Sequence, residues 1–544
     1  MPNYTPPINE MTDILEKILN ISELGRDDLD QAMIGAVLEE AGKLASDVLA
    51  PLNYSGDQEG AILENGHVKT ATGFREAYRH YQQGGWNAVP FDTAYGGQGL
   101  PWVLSFPIQE MWQSANMSFG LCPLLNQGAV EAILHHGTEY QKNFYLPRLI
   151  SGEWTGTMNL TEPQAGSDLS LLRAKAERAG DDTYRIFGQK IYITYGEHDM
   201  SDNIIHLVLA RLPDAPEGVK GISLFIVPKF LEDGTRNDVT CVSIEHKLGI
   251  HASPTCTMQF GDKGGAVGYL VGKEHEGLKY MFTMMNNARL SVGLQGVAIS
   301  ERAVQAAEWY AADRKQGKPL TGGDTVAIIH HPDVQRMLRT MKSLTAAGRA
   351  LAYQAAFNLD KAKLGDKFAQ ARVDVMTPVV KSWCTDNAVE VASLGVQIHG
   401  GMGFVEETGA AQYYRDARIL PIYEGTNGIQ ANDLVFRKMI KDGGSSISNW
   451  ISDMKLVTTC TNCLQAIGIL EESVHYLIKQ SDRLDEVASV AVPFLNMVGC
   501  VAGGVLLSQM ASQDKKYEEL SGFYTRHILT RVFGYQKTIQ GWAT

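Results

Sequence analysis

Between Thr155 and Val271 the chain reads Ile191-Tyr-Ile-Thr194, Ile204-Ile-His-Leu-Val-Leu-Ala-Arg-Leu212, Gly221-Ile-Ser-Leu-Phe-Ile-Val227, Asp238-Val-Thr-Cys-Val-Ser-Ile244 and Cys256-Thr-Met-Gln-Phe260. These short runs are rich in β-branched residues and are separated by Gly, Asp and Pro clusters, the pattern of strands joined by turns. They predict a small antiparallel β domain. Upstream, from Met11 to about Ile150, apolar residues recur at spacings of three and four, as at Met33, Val37 and Leu38 and at Leu44, Val48 and Leu49, so that part is helical. Downstream, from about Gly277 to Lys441, long amphipathic helices return, one through Gly293, Ile299, Val304 and Trp309 and another through Val375 to Leu394. They predict a helical bundle. Asp442-Gly-Gly-Ser-Ser-Ile-Ser is a polar break, followed by about a hundred residues that again read as helices.

The order α, β, α, α excludes the alternating βαβ pattern of a doubly wound dinucleotide fold. The expected class is α+β, multidomain and mainly α. Its boundaries fall at 1–34 for an N-terminal extension, 35–154 for a helical domain and 155–275 for the β domain. The bundle then spans 276–441 and an additional helical domain 442–544.

With 544 residues, more than one core is expected. A chain that is 44% hydrophobic and 20% charged is an ordinary globular one, neither disordered nor fibrous. The net charge of −13 repels a phosphate backbone, so no nucleic-acid partner is expected. Seven scattered cysteines do not make a disulfide framework and suit a reducing compartment. Cys460-Thr-Asn-Cys463 has CxxC spacing, without the further ligands or the strand context that zinc or redox chemistry needs. The first twenty residues have neither the apolar core of a signal peptide nor an Arg-rich presequence, and a cytoplasmic location is the expectation. Val487 to Ala511 is uncharged and long enough to cross a bilayer. Ser489, Pro493, Asn496, Ser508 and Gln509 dilute it, so a buried helix is expected and no membrane span.

No GxGxxG follows a strand, and neither GxxxxGK[ST] nor HExxH occurs. His135-His136 and His330-His331 cannot both face one point, and Glu131 and Glu139 flank His135 at helical spacing as surface ion pairs would, so no metal site is expected. Three segments carry more polar chemistry than folding demands. Met158-Asn-Leu-Thr-Glu-Pro-Gln-Ala-Gly-Ser-Asp168 offers the hydroxyls of Thr161 and Ser167 and free backbone N–H groups near Gly166, suited to a pyrophosphate or a flavin edge, or else to an ordinary helix cap. Gln397-Ile-His-Gly-Gly-Met-Gly-Phe404 permits close approach of a ligand or chain, or a tight helix end. In Arg415 to Gln430 one acid, Glu424, lies between an apolar strand-like run and a glycine. Desolvation there raises a carboxyl pKa toward neutrality and makes a better proton acceptor, the alternative being a helix cap.

LTEPQAGSD, KIYIT, KLGIHAS, ADRKQG, QIHGGMGF and IYEGTNGIQ occur in the order and approximate spacing of the acyl-CoA dehydrogenase family, which residues 35 to 440 resemble. The resemblance implies N-terminal helices, a middle β domain and a C-terminal four-helix bundle. The lead and the tail after about residue 442 resemble a longer branch of the family. It implies FAD-dependent α,β-dehydrogenation of an acyl-CoA thioester, with Glu424 taking the α-proton and a hydride passing to flavin N5. The backbone N–H of the same glutamate then polarises the thioester carbonyl together with a flavin hydroxyl. Branches that place the base before the arginine matching Arg289 would need an acid at 288, where this chain has Ala288, and Arg289 is left to position the substrate or the base loop.

For the cofactor the resemblance implies Leu160, Thr161, Tyr192, Ile193 and Thr194 at the flavin, Ser167 near pyrophosphate and substrate, and Thr426 at the nucleotide. Arg314, Gln316, Gln397, Gly400 and Gly401 match positions that bind the FAD diphosphate and adenosine across a subunit interface, which implies a homodimer or higher oligomer. The loop after Arg314 is a residue shorter than in many members, and Gly428 stands where others carry Glu. Electron-transfer flavoprotein is the implied acceptor, with an oxidase as the alternative. The long-branch likeness points to a 3-methylthiopropionyl group, with short or medium straight chains as the alternative. A DNA-binding relative would carry a basic terminal domain, whereas here Lys515 and Lys516 are mixed with Asp514, Glu518 and Glu519.

Overall fold

A computed structural model describes residues 3–180 and 182–541. The chain forms two compact units, one from the described parts of Met1–Ser46, Trp102–Ala115 and Arg289–Thr544, the other from Asp47–Pro101 and Asn116–Ala288. The helices of 13 residues or more are, in chain order, α1 (Gln31–Lys43), α2 (Trp102–Ala115), α3 (Met117–His136), α4 (Glu139–Ser151) and α5 (Gly277–Asp313). They continue with α6 (Pro332–Lys363), α7 (Lys367–His399), α8 (Ser445–Val457), α9 (Thr461–Lys479) and α10 (Ala491–Gln513).

The second unit holds α3, α4 and all the strands. A hairpin of β1 (Ile62–Glu64) and β2 (His67–Lys69) interrupts the helical N-terminal region. The main sheet comprises β3 (Trp154–Asn159), β4 (Lys175–Arg178), β5 (Tyr184–Thr194), β6 (Asn203–Arg211), β7 (Ile222–Pro228), β8 (Val239–Ile244), β9 (Thr255–Phe260) and β10 (Ala266–Leu270). Its order is β10-β7-β6-β4-β5-β9-β8. The five runs of the sequence reading fall on β5 to β9. The sheet is not wholly antiparallel, because β3 pairs parallel with β6 from Trp154–Asn203 to Asn159–Val208. Its sequence, WTGTMN, lacks the apolar density that marked the others. Every residue of β7 is buried, as expected of a strand covered on both faces.

In the first unit α6 and α7 pack along their lengths, and α5 crosses α7 at close range. A Cβ on Gly293 would lie 2.7 Å from the Val380 carbonyl oxygen, and one on Gly296 would lie 2.6 Å from that of Cys384. Only glycine, one turn apart, lets the two backbones approach this far. The tail wraps the other side of α7, where the Trp383 ring lies against Gly499 and Gly503 of α10 and Arg531 pairs with Glu390. The uncharged stretch of the sequence is α10, the one helix among the described residues long and apolar enough to cross a membrane, and 78% of its most apolar window is buried in the protein. The N-terminal lead joins the same body. Tyr517 donates to Asp13 at 2.8 Å, and fully buried Arg349 pairs with Glu10, Glu110 and Glu301.

Candidate active site

Glu424 sits on a loop of the first unit between the helix Ala410–Ala417 and the helix Asn427–Asn432. The apolar run before it is a chain of turns, not the strand-like segment expected. Leu420 donates to Ala417, Ile422 and Tyr423 donate to Ile419, and Asn427 donates to Pro421, so local carbonyls absorb the N–H groups that a ladder would use. Glu424 has φ 55° and Gly425 φ 89°. Left-handed backbone at a glutamate costs energy and persists only where its surroundings fix it.

The fixing groups come from three elements. From α7, the buried Lys381 ammonium donates to Leu420 O at 3.0 Å, Gly425 O at 2.8 Å and Asn427 Oδ1 at 2.9 Å. Asn427 in turn donates to Asp386 Oδ1 at 2.7 Å and to Ser382 O at 3.2 Å. From α5, Gln295 accepts the Tyr423 hydroxyl and donates to Gln113 at 3.1 Å. From the following helix, the Gln430 amide lies 3.4 Å from Gly425 O. The Glu424 N–H donates to no group among the described residues.

Burial pushes the Glu424 carboxyl above the ordinary carboxylate range, and the cations Arg289 and Lys381 pull it part of the way back. That leaves a carboxylate with enhanced basicity at neutral pH. Arg289 is not a surface arginine. It is buried, its Nε has no partner among the described residues, and its nearest carboxylate is Asp433 at 4.0 Å. Thr426 lies two residues past Glu424, at the start of the Asn427–Asn432 helix.

The other expected nucleotide residues of this unit gather on its surface. Arg314 and Gln316 lie on an exposed loop where Gln316 N donates to Val326 O, and Gln397, Gly400 and Gly401 are exposed at the end of α7. Stacking of Tyr310 on His399, with centroids 4.4 Å apart, holds the two segments together. Met402 and Phe404 beside them are 49% and 89% exposed.

Leu160, Thr161, Ser167, Tyr192, Ile193 and Thr194 belong to the second unit. The Ile191 N–H donates to Thr161 O at 2.9 Å, which ties the loop after β3 to β5. A register shift in β5 between Lys190 and Ile193 turns Lys190 inward and leaves Tyr192 at φ 59° and 60% exposed. The bulge re-aims successive side chains, as bulges beside functional sites do. Buried Lys190 donates to Leu160 O at 3.1 Å and Glu162 at 2.8 Å. Burial opposes the Glu162 charge, but Lys190 and the N–H groups of Arg173 and Ala174 outweigh it and hold the carboxyl below its usual range. The donor set fits the edge of a flavin. The Thr161 hydroxyl makes no hydrogen bond among the described residues, a Cβ on Gly166 would meet nothing within 4 Å, and an aromatic ring stands open beside them.

Sequence reasoning did not single out Lys381, Gln295, Asn427 or the Lys190–Glu162 pair. Lys190 and Glu162 stood inside KIYIT and LTEPQAGSD, and Lys381 was visible as a lone cation in the apolar run Val379-Val-Lys-Ser-Trp-Cys384. The histidine pairs do other work: His135 lies 3.3 Å from Glu131, and His136 stacks on Tyr280. No group of three or more metal-ligand side chains occurs among the described residues. Cys463 is buried at the start of α9, where desolvation raises its thiol pKa far from a reactive range.

Three family models match in sequence order: the acyl-CoA dehydrogenase N-terminal domain over 32–153, the middle domain over 157–263 and the C-terminal domain over 275–439. A 3-methylmercaptopropionyl-CoA dehydrogenase of Ruegeria pomeroyi is 55% identical over 441 residues, covering 79% of this chain and 74% of its own. A butyryl-CoA dehydrogenase of Syntrophomonas wolfei is 38% identical over 453 residues, covering 79% and 73%. Among solved structures, an acyl-CoA dehydrogenase of Bacillus anthracis complexed with FAD covers 97% of this chain and 91% of its own at TM-score 0.78 and 20% identity, so the fold is shared through both terminal additions. The chain belongs to the acyl-CoA dehydrogenase family and is an FAD-dependent oxidoreductase that acts on acyl-CoA thioesters.

Proposed function

We propose that Glu424 removes the α-proton of the bound thioester and that 3-methylmercaptopropionyl-CoA is the preferred substrate. The observation that carries the base assignment is a desolvated carboxyl between two buried cations, held at a left-handed backbone position by Lys381 and Asn427. FAD, when bound, would supply the acceptor for the hydride that leaves the β-carbon; Leu160, Thr161, Tyr192, Ile193 and Thr194 would hold its ring, Ser167 its pyrophosphate and Thr426 its nucleotide. The residues of this chain do the rest. Glu424 gains the α-proton, and its backbone N–H, which donates to no group among the described residues, is available to the thioester oxygen as negative charge develops there. Arg289 and Lys381 hold the carboxylate ionised until it is used and lose part of that attraction once it is protonated. The products are the trans-2-enoyl-CoA and the two-electron-reduced enzyme.

The 55% identity to a relative of that name supports the methylthio substrate. The second reading, a short or medium straight chain, is favoured by the relative named butyryl-CoA dehydrogenase at 38% identity. Electron-transfer flavoprotein is the proposed acceptor and the cytoplasm the proposed location. A homodimer is proposed because the family resemblance puts Arg314, Gln316, Gln397, Gly400 and Gly401 at a cofactor shared between subunits, and all five are exposed here. Anaerobic flavin bleaching by a thioester series from propionyl to palmitoyl, with 3-methylthiopropionyl included, tests the substrate assignment. The methylthio ester should bleach fastest, and butyryl-CoA overtaking it by more than tenfold would replace it.

A further inference from the structure

We propose that Lys381 is a positioning residue of this active site, pinning the Leu420–Asn427 loop from α7 and adding its charge to that of Arg289 beside Glu424. The inference rests on the reading of Glu424 as the base. Lys381 is 0% exposed and lies in an apolar stretch of α7, where an unpaired ammonium would be severely destabilising. Its three N–H groups find three acceptors at 3.0, 2.8 and 2.9 Å: Leu420 O, Gly425 O and Asn427 Oδ1. These acceptors bracket the base, four residues before it, one after and three after. None of the three is a carboxylate, so the ammonium fixes backbone and leaves its electrostatic complement to Glu424. The contact at Gly425 O fixes the Gly425–Thr426 peptide, and with the contact at Leu420 O it anchors the chain on both sides of the φ 55° glutamate.

The charges facing this pair come from every element around it. Arg289 approaches from α5, Lys381 and Asp386 from α7 and Tyr423 from the loop itself, while Asp433 and Arg437 act on Arg289 from the segment Asp433–Met439. Burial lowers the Lys381 pKa to about 7, with Glu424 and then Asp386 opposing the fall. The ammonium and the carboxylate each stabilise the other, so the pair ionises as a unit.

The test uses the full-length, FAD-loaded enzyme with Lys381→Gln, Lys381→Arg and Glu424→Gln, read by single-turnover flavin bleaching against pH and by hydrogen exchange of residues 419–430 without substrate. Lys381→Gln should slow bleaching by about 10²-fold, move its acid limb to higher pH by about one unit and speed exchange in the loop. Lys381→Arg, which keeps the charge and strains the acceptors, should slow bleaching with the limb unmoved. A Lys381→Gln enzyme with the wild-type limb and rate overturns the proposal, as does Lys381→Arg with wild-type rate and exchange if Lys381→Gln does not fold. Glu424→Gln separates the two readings. If it bleaches at the wild-type rate the base assignment fails, whereas if it is inert while Lys381→Gln is unchanged only the role of Lys381 fails.

Discussion

Lys381 donates a 2.8 Å hydrogen bond to the carbonyl oxygen of Gly425, the residue immediately after Glu424. Through that bond a bundle helix holds a turn that local propensity would not choose, since Glu424 occupies left-handed backbone. The same cation offsets part of the desolvation that burial imposes on the carboxyl. Lys381 therefore acts on both the loop geometry and the basicity of Glu424, beside Arg289.

The unit with the sheet should lose stability in mild acid. His198 and His206 are buried against Thr155 and Thr157, and burial, with Lys229 next, lowers both pKa values to about 3. In the unfolded chain an imidazole takes up its proton near pH 6.5. Above that pH the two states bind equally few protons, and as pH falls toward 3 only the unfolded state binds them. Stability therefore falls by up to about 1.4 kcal/mol per pH unit for each imidazole. Urea unfolding of the apoprotein should show a lower midpoint at pH 5 than at pH 7.5, with a shallower slope in His206→Gln. Equal midpoints would show that the histidines titrate normally.

Lys190→Met should damage both stability and flavin retention. It leaves Glu162 charged and buried, a change that typically costs about 3–5 kcal/mol, and frees the Leu160 carbonyl that Lys190 holds. Glu162→Gln should be milder, because an amide oxygen at the Oε1 position still accepts from Lys190 and from the Ala174 N–H, while the Arg173 N–H loses its acceptor. Thermal unfolding and flavin remaining after gel filtration report the two effects. Full flavin occupancy at an unchanged melting temperature in Lys190→Met would mean that the pair positions nothing.

The tail should be inseparable from the bundle. A Cβ at Gly499 would lie 2.3 Å from Cγ of Trp383, and one at Gly503 would lie 2.8 Å from the far edge of the same ring. Gly499→Val should cost about 1–3 kcal/mol through overpacking, and Trp383→Ala about 3–5 kcal/mol through the cavity it opens. Both are expected to lower a single cooperative melting transition. A tail that melts separately, with the bundle transition unmoved, would contradict this.

Much of the fold was legible because its signals are periodic. The runs from Ile191 to Phe260 alternate with turn residues, and the long helices repeat at three and four. The strand Trp154–Asn159 escaped because its pairing with β6 is a tertiary fact written weakly in its own residues. The proposed base, Glu424, was legible as an acid beside a glycine in an apolar setting, yet the setting proved to be a turn closed by Ile419 and Pro421 carbonyls, not a strand. Lys381 was legible only as a lone cation in an apolar run, since 42 residues lie between it and Glu424 and only folding reveals that its three donors meet that loop.

The most direct measurement compares anaerobic flavin bleaching by 3-methylthiopropionyl-CoA in the wild-type enzyme and in Glu424→Gln, with thioester binding followed in parallel. The variant should bind FAD and thioester normally while its bleaching slows by about 10²–10⁴-fold. Bleaching within a few-fold of the wild-type rate would mean that another group removes the α-proton.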